Sequence, residues 1–156
     1  MLRKILFVLS LAAAPIVTGC GPASGLTSAP DGFARLGGDQ FDDRVGSATG
    51  VVVATRVVPN EPKANLDFWT QAIDLRLQQR GYVRTDAPKD VKSTSGLAGR
   101  SLHYTYNDGT RENRYFLDVY ATSRRILLVE ATGATADFDA SLPKVVESMR
   151  SARLGS

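Results

Sequence analysis

The stretch from Ser101 to Ala131 narrows the possible folds most. It holds three runs rich in β-branched and aromatic residues, Ser101–Tyr106, Tyr115–Ala121 and Ile126–Ala131, and such residues suit a pleated, half-buried surface. Asn107-Asp108-Gly109 is a turn signal between the first two, and Thr122-Ser123-Arg124-Arg125 joins the second to the third. Connections this short leave no room for a parallel crossover, so the three runs form an antiparallel meander.

Upstream, Val51–Val58 reads as a strand stopped by Pro59, with a shorter strand around Phe41 to Val45. No clear first hairpin with an aromatic Pro-x-Gly-Trp segment precedes it, and Phe33-Ala34-Arg35-Leu36 is a poor substitute. Asn65 caps a helix whose apolar positions Leu66, Trp69, Ile73 and Leu77 step by three and four. Asp67 near its start and Arg76 and Arg80 near its end suit the helix dipole, and Gly81 stops it. Short extended pieces around Val83 and Val91 follow. A final helix runs from about Asp139 to Arg150 on the stripe Leu142, Val145, Val146 and Met149, with Pro143 tolerable in its first turn. This order predicts an α+β fold, a twisted antiparallel sheet packed by two main helices.

The chain is 156 residues, enough for one ordinary domain. Met1-Leu2-Arg3-Lys4 is a basic start, and the apolar run Ile5–Ala14 that follows is shorter than the roughly 20 residues a spanning helix needs. Residues 1–19 therefore read as a cleaved export signal. Val17-Thr18-Gly19-Cys20 resembles the lipobox of bacterial lipoproteins, an aliphatic residue and two small ones before a cysteine. That resemblance implies cleavage between Gly19 and Cys20 and acylation of Cys20, hence anchoring in the lipid bilayer of the cell envelope. Gly21 follows the cysteine where Asp would mark retention at the inner membrane, so the resemblance to Gram-negative lipoproteins implies the periplasmic face of the outer membrane. Eight of the twelve residues 21–32 are Gly, Pro, Ser or Thr, so residues 20–32 are expected to be a flexible tether and 33–156 the single domain.

Without Arg3 and Lys4, 17 basic residues face 16 acidic ones. A chain so balanced is a poor nucleic-acid binder, since that function rests on neutralising several phosphates. One His and one Cys provide no Cys–Cys, Cys–His or His–His pair for a structural metal, and no metal or cofactor is expected.

The helix Asn65–Gly81, the stretch Leu97-Ala98-Gly99-Arg100-Ser101-Leu102-His103-Tyr104-Thr105-Tyr106, the strands Tyr115–Tyr120 and Ile126–Thr132, and the run from Phe138 to Met149 resemble the PsbP/DcrB-like superfamily over most of residues 41–152. The resemblance implies a non-enzymatic binding, assembly or chaperone-like role, with an envelope protein as partner, and brings no catalytic residues.

Catalysis has to be weighed on the residues themselves. His103 shares a strand face with Ser101 and Thr105, opposite Leu102, Tyr104 and Tyr106. A triad of Ser101, His103 and Asp118 is conceivable, but the first two are about 7 Å apart along the backbone and no Gly-x-Ser-x-Gly elbow is present. An envelope hydrolase centred near His103 is thus the alternative, and a purely structural lipoprotein a third reading. Asp42 and Asp43 point to opposite faces, Asp137 and Asp139 read as caps of the last helix, and Gly96-Leu97-Ala98-Gly99 is too short for a phosphate loop. Tyr106 and Tyr120 with Arg124 and Arg125 are the expected partner-binding group. Arg100 should join the two arginines at one edge, with Arg111 and Arg114 at the other.

Overall fold

The computed structural model describes residues 24–37 and 40–155. The expected export signal, residues 1–19, and the expected lipidation site at Gly19 and Cys20 lie outside the described residues. Ten strands and two helices follow in the order β1 (Gly25–Leu26), β2 (Phe33–Arg35), β3 (Asp43–Ser47), β4 (Val52–Pro59), α1 (Leu66–Gln79), β5 (Val83–Arg84), β6 (Lys89–Lys92), β7 (Ala98–Asn107), β8 (Glu112–Ala121), β9 (Arg125–Ala134), α2 (Thr135–Arg150) and β10 (Ala152–Arg153). The fold is α+β. The main sheet has the order β2-β3-β4-β9-β8-β7-β5, with β6 also on the edge of β7, and every pairing in it is antiparallel.

The expected meander is β7, β8 and β9. Its far strand β9 pairs with β4 over eight positions, from Val52 opposite Thr132 to Pro59 opposite Arg125. Strict alternation along these strands divides the apolar residues between two faces. On one face Leu102, Tyr104, Leu117, Val119 and Ile126 pack with Leu66, Trp69, Ile73 and Leu77 of α1. On the other Val45, Val53, Tyr120, Leu127, Val129 and Ala131 pack with Phe138, Val145 and Met149 of α2. The predicted capping of α1 is present, the Asn65 side chain accepting from Phe68 N–H at 2.9 Å and Gly81 taking a φ of +88° just past the helix.

Asn60, directly after β4, is 3 % exposed and uses its full hydrogen-bonding capacity. Its Nδ2 donates to the carbonyls of Ala64 and Thr122, and its Oδ1 accepts from Ala64 N–H and Trp69 Nε1–H, at 2.7–3.0 Å. One side chain thereby ties the end of β4 to α1 and to the β8–β9 turn.

Three expectations are corrected. Residues 25–32 are not free tether: β1 pairs with β10 and Leu26 is 3 % exposed within the α2-side core. Gly25 serves close approach there, since a Cβ on it would stand 3.0 Å from Asp43 Oδ2. Phe33–Arg35 is a strand after all, forming a hairpin with β3 that the Arg35–Asp43 ion pair fastens. The last helix starts at Thr135, a turn earlier than expected, so Pro143 sits mid-helix on the exposed side and Asp137 and Asp139 lie within the helix. The N-cap is Ala134, which gives no side-chain bond; Asp137 meets the dipole in the first turn and Asp139 pairs with Arg114 at 3.0 Å.

A chain beginning at Ser24 should therefore be more stable than one beginning at Gly32 by about 2–4 kcal/mol, the worth of a buried leucine plus its backbone bonds. Urea denaturation of the two would show it, and equal midpoints would return residues 24–31 to the tether.

Candidate functional site

Two places on the domain gather chemistry. The first lies under α2. Ser101 and His103 project from β7 toward Asp118 and Phe116 of β8, opposite which they are registered. Their side chains close the backbone gap, with Ser101 Oγ and His103 Nε2 3.1 Å apart. The carboxylate on His103 Nδ1 is Asp86 at 3.3 Å, from the loop between β5 and β6, and not Asp118. The His103 ring stacks on Phe116 with centroids 3.7 Å apart, and Phe116 meets Phe138 edge-on. Ser101, His103, Phe116 and Asp118, with Lys89, Asp90 and Val91 of β6 and Val146, Met149 and Arg150 of α2, line a cavity of about 210 Å³.

Burial lowers the affinity of His103 for a proton, against the pull of Asp86, so the imidazole is neutral at pH 7. Burial opposes ionisation of Asp86 too, but the hydrogen bonds from Lys89 and His103 and the charge of Lys89 outweigh it and hold its carboxyl below the usual value. Asp118, 4 % exposed, is shifted upward by burial, which outweighs its bonds from Ser101 and Tyr120 and the nearby Arg150 charge. Its Oδ1 is buried without a hydrogen-bond partner.

The order Asp86–His103–Ser101 imitates a hydrolytic triad, yet its setting opposes acyl transfer. Ser101 sits mid-strand, paired with β6 on one side and β8 on the other, so the ladders occupy the backbone N–H groups that an oxyanion would need. The carboxylate of Asp118 beside Ser101 would also repel a developing oxyanion.

The second place is the α1 face of the sheet. α1 lies over β7 and β8 and leaves the half made by β3, β4 and the near side of β9 without a helix. Alternation and register put Arg44, Ala54, Arg56, Leu128 and Glu130 on this half. The Arg44 and Arg56 guanidinium groups lie 5.9 and 5.0 Å from the Phe41 ring centroid. Asp67 and Asp74 line the far flank of α1, where they bond Arg100, Arg84 and Tyr104. Trp69 is on the opposite flank, toward Asn60, and Arg76 follows it two turns on, with Arg80 at the helix end. Arg44, Arg56, Arg76 and Arg80 make no ion pair among the described residues. Of the carboxylates beside this floor, Glu130 accepts from Tyr115 Oη at 3.0 Å and Asp42 from Val57 N–H at 2.5 Å. Tyr82 and Tyr106, with ring centroids 4.9 Å apart, continue the surface past the end of α1.

The four residues expected to bind a partner are not brought together. Tyr106 faces α1, whereas Tyr120 faces α2, is 1 % exposed and lies across Gly99, where a Cβ would stand 2.4 Å from its ring. Arg124 is exposed, but in the β8–β9 turn, about 25 Å along β8 from the Tyr106 end at some 3.3 Å per residue. Arg125 Nη2 donates to the Gly155 carbonyl. Arg100 is held by Asp67 and Asp90 instead of joining them, while Arg111 and Arg114 at the other end pair with Asp108 and Asp139. Asp86 and the pair Arg44 and Arg56 escaped the sequence reading, because only the registers of β3 and β6 show what they stand beside.

Among the described residues no group of three His, Cys, Asp or Glu side chains is placed to hold a metal ion, and no helix is long and apolar enough to cross a membrane. Searches with family models and among curated proteins find no match. Solved structures do match. LpqN of Mycobacterium tuberculosis, described as involved in cell envelope biogenesis, superposes with a TM-score of 0.66 at 9 % identity over 86 % of this chain and 84 % of its own. Cyanobacterial PsbP from Synechocystis gives 0.54 at 12 % identity over 92 % and 98 %. The fold is PsbP-like. A Pseudomonas aeruginosa protein of unknown function, described as a putative regulator, shares this PsbP-like fold with a TM-score of 0.51 at 13 % identity, over 85 % of this chain and 84 % of its own.

A carboxyl whose affinity for protons is raised by folding contributes stability at low pH that is lost as pH rises through its folded value. Asp118→Asn should accordingly stabilise the domain at pH 7 by about 1 kcal/mol, part of the cost of an unpaired buried polar atom, with the gain shrinking toward pH 4. Urea midpoints across that range check the sign, and a loss of stability at pH 7 would contradict it.

Proposed function

We propose that the chain is a lipid-anchored, non-enzymatic binding module of the bacterial cell envelope that holds an acidic segment of an envelope protein against the open half of its α1 face. The observation that carries this reading is the set of four arginines without ion pairs, Arg44, Arg56, Arg76 and Arg80, beside a sheet half that no helix covers. Guanidinium forks match carboxylates, and aromatic neighbours such as Phe41, Tyr82 and Tyr106 supply contact area at low entropic cost. The cell-envelope role of LpqN supports the setting. The lipobox supports attachment through Cys20, three acyl chains making a far firmer anchor than one. Gly21 supports the outer membrane as the site of attachment.

A photo-crosslinker at position 76 should give a discrete adduct with an envelope protein in intact cells. Arg44→Glu with Arg56→Glu should abolish it while circular dichroism stays unchanged. The same reversal should slow association about tenfold at low salt and less at high salt; an adduct indifferent to both substitutions places the interface elsewhere.

The anchor is tested separately. Cys20→Ser should leave the precursor unacylated and uncleaved, read by mass spectrometry of the N-terminus. A wild-type protein with an unmodified N-terminus at another position would end the lipoprotein reading.

A further inference from the structure

The cavity under α2 has an unsatisfied floor, and a count of its protons shows what is missing. Asp86 is ionised, so His103 must carry its proton on Nδ1, facing that carboxylate, and Nε2 is an acceptor. The single hydroxyl proton of Ser101 can serve Nε2, 3.1 Å away, or Asp118, but not both. Tyr120 Oη gives its proton to Asp118 Oδ2 at 3.4 Å, which leaves Asp118 Oδ1 and the lone pairs of Ser101 with no donor. Every polar atom left over on the floor is an acceptor.

The mouth is of opposite character. Lys89 is paired with Asp86, and Asp90 with Arg100. Arg150, exposed at the end of α2, makes no ion pair among the described residues. Asp118 and Arg150 thus line one cavity with opposite charges that do not meet, while Val91, Phe116, Val146 and Met149 form apolar walls between them. At about 210 Å³ the space is too large for one or two waters, each taking about 30 Å³ of liquid, and is of amino-acid size.

We propose that this cavity binds a small zwitterion, its ammonium on Asp118 and Ser101 and its anionic group on Arg150. The ammonium supplies the donors that the floor lacks, its charge offsets that of the buried carboxylate, and a short aliphatic link lies against the apolar walls. His103 tunes the site. Its charged and titratable surroundings are Asp86 from the β5–β6 loop, Lys89 and Asp90 from β6, Asp118 from β8 and Arg150 from α2. When His103 is protonated, Nε2 becomes a donor to Ser101, and the freed Ser101 hydroxyl can turn to Asp118. Acid therefore satisfies the floor internally and competes with the ligand, in the same direction as protonation of Asp118 itself.

The test uses ω-amino acids of increasing length, glycine, 3-aminopropanoate and 4-aminobutanoate, with butylamine and butanoate as controls, followed by amide chemical shifts of the folded protein. At least one zwitterion should saturate shifts at residues 101, 103, 116 and 118, butylamine should bind more weakly, and butanoate should not bind. Asp118→Asn should weaken the zwitterion about 10- to 100-fold, the worth of a charge-assisted hydrogen bond, without loss of fold. Arg150→Gln should bring it down to the level of butylamine, and affinity should fall below pH 6.5. Val146→Trp, which fills the cavity from its apolar wall, should abolish binding and guards against a compensating effect of the Asn variant. No saturable shift from any zwitterion at about 10 mM, where a millimolar Kd would leave most sites filled, overturns the proposal. So does binding that survives both Asp118→Asn and Val146→Trp, or that strengthens in acid.

Discussion

The eight-residue pairing of β4 with β9 is the joint on which the rest depends. It unites an N-terminal meander, β2-β3-β4, with a C-terminal one, β7-β8-β9, into one sheet, and it brings together residues more than sixty positions apart in sequence. Long-range pairing carries a closure cost that must be offset by what lies on either face. Val53 and Val57 meet Ala131 and Leu127 on the α2 side, and Val58 meets Ile126 on the other. Asn60 then fixes the end of the joint to the β8–β9 turn and to α1, so the placement of that helix follows from the pairing. Because α1 is held over β7 and β8, the β3–β4 half of the same face is left to its arginines.

The parts of the fold legible in the sequence were those with local signals. Asn65, the step Leu66–Trp69–Ile73–Leu77 and Gly81 define a helix without reference to any neighbour, and three β-rich runs with short connections define a meander. What escaped were elements whose stability is borrowed. Gly25-Leu26 has no strand signal of its own and is ordered by Ala152-Arg153, by a hydrogen bond from Leu26 N–H to Asp43 and by one from Arg35 to its carbonyl. Phe33–Arg35 likewise becomes a strand because β3 offers it an edge. The candidate sites divide in the same way. That Ser101 and His103 share a face follows from alternation, but Asp86 reaches His103 from another part of the chain, and Tyr106 and Tyr120 were parted by the even or odd count of residues across a turn.

The arginines and the buried carboxyl show how this domain distributes electrostatic cost. Arg35, Arg84, Arg100 and Arg114 are spent on holding edges and helices together, each on an aspartate. Those on the open half of the α1 face have no aspartate, Arg44 reaching only the Gly37 carbonyl and, with Arg56, the Phe41 ring. Asp118 stands on the other side of the account, since a neutral residue of its shape would be easier to bury. A costly group in a cavity that folding does not require is the common mark of a site where stability yields to binding.

The pairing of β1 with β10 also sets an order of events. Gly25 has no partner until Arg153 has been made, and Ser24 Oγ accepts from Gly155 N–H across 131 positions of chain. The ladder of residues 25 and 26 must therefore wait for the last strand, and until then only Asp43 and Arg35 are there to hold Leu26. Once residues 152–155 arrive, the strand docks and Ser24 is joined to Gly155. Folding of residues 152–155 thus sets when residues 24–26 are held.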